Sequence, residues 1–210
     1  MTSASFTLLQ ATKNSSVKKV IMFLRVSNFA MLLDLLVQIT IKFNIKQGFG
    51  KKNMHMKIEI WWIGKTFQDF TKKGYDEFLK RIQKFTSVEI VEIADIKGQT
   101  NPKSIKNLEA EKILSKLKSD DFLILLDEKG KQFSSVEFAD FIQQKDNQAI
   151  KKIIFLIGGA YGFDDKIYER ANAQLSLSKM TYSHQLIRLI FMEQLYRAYT
   201  IIHGFPYHNE

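Results

Sequence analysis

The run KIIFLIGG, Lys152 to Gly159, sets five apolar residues in a row and ends on a glycine pair. A second run, DFLILLD from Asp121 to Asp127, is built the same way. A stretch without polar alternation has no side to offer water, as expected of a strand covered on both faces. Strands of that kind belong to parallel sheets with helices packed above and below.

Reading outward from these two runs, helical and extended patterns alternate. KIEIWWI (57–63) reads as a strand. FQDFTKKGYDEFLKRIQKF (67–85) then places Phe67, Phe70, Phe78, Ile82 and Phe85 at helical spacing. SVEIVEIA (87–94) alternates with period two, the mark of a half-buried strand. A polar loop with Gly98, Asn101 and Pro102 leads to a helix over about residues 103–117. Ser134 with Glu137 three residues on forms a capping-box signature for a helix after DFLILLD. DDKIYERANA (164–173) follows KIIFLIGG as a short helix, QLSLSKM (174–180) as a short strand, and a last helix runs to about Tyr199. The expectation is one α/β domain with a mostly parallel sheet and helices on both faces.

Composition narrows the chemistry. There are no cysteines, which excludes disulfides, thiolate metal sites and a cysteine nucleophile, and which suits a reducing cytoplasm. The chain carries 31 basic and 22 acidic residues, but the excess is local. Residues 1–55 hold Lys13, Lys18, Lys19, Arg25, Lys42, Lys46, Lys51 and Lys52 against Asp34 alone, leaving the remainder close to neutral. Bulk charge therefore argues for no polyanion partner.

The same head contains VIMFLRVSNFAMLLDLLVQITIKFNI (20–45), where Arg25 and Asp34 cut the apolar run to less than a bilayer span of roughly 20 residues. Met56 opens the strand pattern directly. The head is expected to be upstream sequence outside the domain, whose bounds are then 56–210; an interfacial anchor is the alternative.

Open α/β sheets bind ligands beyond the carboxyl ends of their strands. Three such ends stand out: LLDEKGK (125–131), IGGAYG (157–162) and LSKMTYSH (177–184). Gly158, Gly159 and Gly162 allow close backbone approach or positive φ, though the spacing is neither a dinucleotide fingerprint nor a P-loop. His184, His203 and His208 have no metal-ligand spacing, so no metal is expected. On the last helix Glu193 and Arg197 are set to pair at i,i+4. Arg188 lies about 140° round from Glu193 and shares a stripe with His184. It needs a partner from a polar loop, a second subunit or a ligand. Tyr207 and His208 sit in the tail GFPYHNE (204–210).

Taken in order, MKIEIWWIGK (56–65), LLDEKGK, FLIGGAYGF (155–163) and LSLSKMTYSHQLIRLIFMEQLYRAYTIIHGFPYHNE (175–210) resemble the RlmH family. These are small bacterial SPOUT-class methyltransferases, and the likeness covers residues 56–210. It implies a fold whose C-terminal part forms a deep trefoil knot. It implies S-adenosylmethionine held bent in that knot by Leu126, Gly158 and the run Leu177, Ser178, Lys179, Met180, Thr181 and Tyr182. It further implies a cytoplasmic homodimer, with no membrane and no metal, that methylates N3 of a pseudouridine in helix 69 of 23S rRNA within the assembled ribosome. On that reading Arg188 stabilises charge on the base, His184 or His208 takes the proton, and Tyr207 stacks on or bonds the base. Ser183 stands where many relatives have proline. The alternative is a non-catalytic ribosome- or nucleotide-binding module of the same fold.

Overall fold

A computed structural model describes residues 56–207. The calls on residues 1–55 and on His208 lie outside the described residues. Strands and helices alternate along the chain: β1 (Lys57–Ile63), α1 (Asp69–Ile82), β2 (Val88–Ile93), α2 (Pro102–Leu114), β3 (Phe122–Gln132), α3 (Ser135–Asn147), β4 (Lys152–Ile157), α4 (Asp165–Arg170), β5 (Ala173–Ser176) and α5 (Leu186–Ile202). All neighbouring strands are parallel, in the order β2-β1-β4-β3-β5. The two apolar runs, β4 and β3, therefore lie in the interior of the sheet, as their lack of alternation requires.

Period two divides the strand residues between two cores. Ile58, Ile60 and Trp62 of β1 and Ile153, Phe155 and Ile157 of β4 face α1, α3 and α5, where Tyr75, Phe138, Phe191 and Leu195 meet them. Trp61, Ile63, Ile154 and Leu156 face the other way, against Ala110, Ile113 and Ile167 of α2 and α4. Burying each of these larger side chains contributes roughly 1.5–3 kcal/mol.

Local chemistry sets the helix starts. Asn101 Oδ1 accepts from Lys103 N and Ser104 N, with Pro102 in the first turn where its missing N–H costs nothing. The Ser134/Glu137 capping box forms in full: Ser134 N donates to Glu137 Oε2 at 2.7 Å and Glu137 N to Ser134 Oγ at 3.3 Å. Bonding to the Ser134 amide holds the Glu137 carboxyl below its ordinary range.

β3 runs further than DFLILLD suggests. Its pairing with β5 shifts register between Leu126 and Lys131, so residues 127–130 bulge out of the ladder before Lys131 and Gln132 rejoin it. Gly130 makes the return possible. A Cβ there would lie 2.7 Å from backbone atoms of Gln174 and Leu175, closer than any side chain can sit.

The C-terminal end of α5 carries a half-buried histidine. His203 packs edge-on to Phe85 at 4.9 Å, and its Nδ1 is buried without a hydrogen-bond partner. Burial pushes its pKa below the ordinary 6.5. The unfolded chain thus binds this proton more readily, so the stability contributed by neutral His203 is complete above about pH 6.5 and is lost as pH falls through and below that value. The melting temperature is expected to drop between pH 7.5 and pH 5.5, and His203→Gln to reduce that drop. An identical drop in the variant would show that other groups cause it.

Candidate active site

The carboxyl ends of β3, β4 and β5 open onto one cleft of about 690 Å³, within the range of about 300–1,000 Å³ usual for sites that enclose a small ligand. Each of the three expected segments contributes a wall. Leu126 to Lys129 come from the β3 bulge, Ile157 to Phe163 from the turn after β4, and residues of the 177–184 loop from the segment after β5.

Hydrogen bonds fix the loop after β5. Ser176 Oγ donates to Ser178 O at 2.8 Å, and Met180 N donates to Ser178 Oγ at 2.9 Å, folding the chain back on itself. Thr181 Oγ1 donates to Glu128 Oε2 at 2.7 Å and so ties this loop to the β3 bulge opposite. Ser183 opens α5, its carbonyl accepting from Ile187 N and its Oγ from Leu186 N. A proline there could make only the first of these bonds.

The turn after β4 approaches the cleft with backbone. Gly158 lies over the ring of Phe163, where a Cβ would come within 3.1 Å of two ring carbons. Gly162 adopts φ of 74°, a left-handed conformation that suits glycine.

Seven of the eight residues expected to hold a cofactor line this cleft: Leu126, Gly158, Leu177, Ser178, Met180, Thr181 and Tyr182. Lys179 is not among the lining residues. His184 lines the cleft and is exposed.

Asp127 and Glu128 line the cleft from within the expected LLDEKGK segment, whereas sequence reasoning missed Tyr168 and Lys106. Tyr168 Oη donates to Asp127 Oδ2 at 2.6 Å, and burial, reinforced by that bond, pushes the phenol pKa upward. The i,i+3 spacing of Asp165 and Tyr168 on a short helix gives no sequence signal that a bond reaches back 41 residues.

Arg188 sits outside the cleft lining. It is 1 % exposed, and its partner is a polar loop of its own subunit. Nη2 donates to Ile63 O at 2.7 Å, while Nη1 donates to Thr66 Oγ1 at 2.7 Å and to Gly64 O at 3.3 Å. The guanidinium lies 5.0 Å from the Trp62 ring centroid, and Nε is buried without an acceptor among the described residues. Burial lowers its pKa and Glu92 partly offsets that, but a guanidinium stays charged at any physiological pH.

Gln185 reinforces the same connection. Its Oε1 accepts from Phe67 N at 3.1 Å and its Nε2 donates to Lys65 O at 3.2 Å. The β1–α1 loop is thereby bound to the first turn of α5, next to His184.

Glu193 and Arg197 pair as their spacing predicts, at 2.6 Å. The tail docks on them: Tyr207 Oη donates to Glu193 Oε1 at 3.1 Å, and its ring lies 4.9 Å from the Arg197 guanidinium and edge-on to Tyr196. Burial, then Glu193, raises the Tyr207 pKa. Tyr207 does not line the cleft of its own subunit.

Among the described residues no group of three or more His, Cys, Asp or Glu could hold a metal ion. No helix among them is long and apolar enough to cross a membrane.

Comparison with known proteins agrees with this geometry. Residues 56–208 match the family described as predicted SPOUT methyltransferase. The chain is 46% identical over 155 residues to a ribosomal RNA large subunit methyltransferase H from Cytophaga hutchinsonii, covering 73% of this chain and all of that protein. A protein of the same name from Christiangramia forsetii is 46% identical over 160 residues, covering 73% of this chain and 99% of the relative. One from Bacteroides thetaiotaomicron is 42% identical over 160 residues, covering 74% and 100%. With the family matched over residues 56–208 and these relatives covered over 99–100% of their length, the chain belongs to the SPOUT methyltransferases and is an rRNA methyltransferase.

Proposed function

We propose that the cleft binds S-adenosylmethionine and that the protein uses it to methylate N3 of a pseudouridine in helix 69 of 23S rRNA, on the assembled ribosome. The observation that carries this reading is the convergence of Leu126, Gly158 and the 177–182 loop on one cleft, seven residues of the expected eight from three separate strand ends. The cleft fits a methyl donor of this size, and its glycine turn offers backbone rather than side chains. The relatives' names supply the large-subunit rRNA substrate.

Bound in the cleft, the sulfonium group supplies an activated methyl for transfer to nitrogen. The protein's part is alignment and removal of the N3 proton. His184 or the tail His208 receives it; the exposure of His184 at the cleft supports the former. Thr181 and Glu128 hold the two walls at a set separation. Arg188, with its terminal nitrogens committed to Ile63, Gly64 and Thr66, contributes by fixing the loop beside His184.

The enzyme acts in the cytoplasm as a homodimer, its C-terminal segment knotted, with the tail carrying Tyr207 and His208 completing a site. Phe191, Leu195 and Tyr199 of α5 are buried within the subunit, so the interface uses the half-buried Leu186, Leu189, Ile190 and Ile202. Calorimetric titration with S-adenosylmethionine tests the cofactor assignment: saturable binding at one site per chain is expected, and absence of binding by the folded protein overturns it.

A further inference from the structure

Three acids are buried among the described residues: Glu59, Glu109 and Asp121. Glu59 is held by Trp61 and Lys57, and Asp121 by Lys152. Glu109 of α2, 8 % exposed, has no hydrogen-bond donor and no salt bridge among the described residues. Its two carboxyl oxygens lie 3.0 and 3.1 Å from where a Cβ on Gly159 would stand. Gly159 lines the cleft, and so does Lys106, one turn earlier on the same face of α2. Glu109 is thus directed at the cleft wall from behind, with no Gly159 side chain in between.

The neighbouring strand repeats the arrangement. Trp62 of β1 pairs with Ile157 of β4, which sets Gly64 and Gly159 at matching places two residues on. The Asp95 carboxyl takes the space of a side chain on Gly64. Burial, and then repulsion by Asp95, raise the Glu109 pKa above its ordinary 4.5, and Lys112 offsets only part of this. A buried carboxylate without a donor is costly until a cation approaches it. The acids that line the cleft itself are placed otherwise. Asp127 already accepts from Tyr168 Oη and Lys129 N, while Glu128 and Asp165 are exposed. Water screens exposed charges, whereas the field of a buried one carries further.

We propose that Glu109, acting across the bare Gly158–Gly159 backbone, is the residue by which the cleft distinguishes a sulfonium cofactor from the neutral thioether that remains after methyl transfer. This rests on the reading of the cleft as the S-adenosylmethionine site. Transfer cancels the charge that Glu109 favours: the carbon–sulfur bond breaks with its electron pair left on sulfur, a carbon–nitrogen bond forms, and the N3 proton leaves to the histidine. The spent cofactor is then held less tightly and makes way for fresh donor. A unit charge felt across roughly 8–10 Å, at an effective dielectric of about 20 or above, changes affinity by about five- to thirtyfold. Glu109 acts on which form of the cofactor is bound and touches no reacting atom.

The test is calorimetric titration of the full chain with S-adenosylmethionine and, separately, with S-adenosylhomocysteine. It compares wild type, Glu109→Gln, Glu109→Met and Glu111→Gln, the last removing the same charge from an exposed place on the same helix. Circular dichroism and light scattering on each preparation report folding and mass. Both Glu109 variants are expected to lose about five- to thirtyfold in affinity for S-adenosylmethionine while S-adenosylhomocysteine binds as it does to wild type. Glu111→Gln should keep the wild-type ratio of the two affinities. An unchanged ratio in the Glu109 variants overturns the proposal. So does an equal loss for both ligands, the result of a role confined to supporting the turn. Loss of folding in both variants, or a change in mass, would make Glu109 a structural or interface residue and overturn it too. Wild type that binds neither ligand would instead overturn the assignment of the cleft on which the proposal rests.

Discussion

Arg188→Ala is expected to destabilise the protein by about 2–6 kcal/mol and, by displacing the loop beside His184, to lower methyl transfer on the order of a hundredfold. Two physical losses combine. The variant leaves the carbonyls of Ile63 and Gly64, at the buried end of β1, without their donor, and each unsatisfied buried acceptor costs about 1–3 kcal/mol. It also removes the guanidinium packed on Trp62 and frees Thr66, so of the loop's side-chain ties to the start of α5 only the Gln185 bonds remain. Cofactor affinity should fall much less than turnover, because Arg188 does not line the cleft. Arg188→Lys should recover little, since one ammonium cannot reach three acceptors held by a planar fork. Thermal melting and single-turnover methylation on the same preparations check this. A variant that melts and turns over like wild type would remove Arg188 from the account.

Gly158→Val is expected to lower S-adenosylmethionine affinity by at least about a hundredfold, roughly 3 kcal/mol, while the chain remains folded. The branched side chain would start 3.1 Å from the Phe163 ring, which is buried beneath the turn. Either the ring moves or the turn lifts into the cleft, and the latter places side-chain atoms where backbone should meet the ligand. Overpacking of this kind costs about 1–3 kcal/mol of stability, so circular dichroism must accompany calorimetry. Unchanged affinity in a folded variant would reduce the IGGAYG segment to a structural turn.

The elements that could be read from the sequence are those whose cause is local. KIIFLIGG and DFLILLD had to be strands covered on both faces because no side of either run tolerates water, and both pack into cores on the two faces of the sheet. The capping box of Ser134 and Glu137 is a four-residue event and formed as expected. The three ligand-facing loops were legible because strand ends and glycines mark them, and they meet in one cleft.

What was hidden depends on chain segments far apart. The order β2-β1-β4-β3-β5 is a matter of packing between faces that are equally apolar. The continuation of β3 to Gln132 depends on a bulge that only the β5 backbone, beside Gly130, enforces. Arg188 looked unpaired because its acceptors are main-chain carbonyls about 125 residues away, and a carbonyl leaves no trace in residue identity. Phe67 and Phe70 continue the helical spacing of Phe78, Ile82 and Phe85 yet stand exposed, because spacing reports the face of a helix and not how far the neighbouring surface extends.

On the proposed reading this cleft delivers a methyl group to one nucleotide of the large ribosomal subunit. Ribosomes from a strain lacking the modification, incubated with the protein and isotopically labelled S-adenosylmethionine and then digested for mass spectrometry of the rRNA, test it most directly. One labelled methyl per ribosome is expected, on N3 of a pseudouridine in helix 69, with its loss in Gly158→Val. Label at another position, or no transfer by wild type that binds the cofactor, would contradict it.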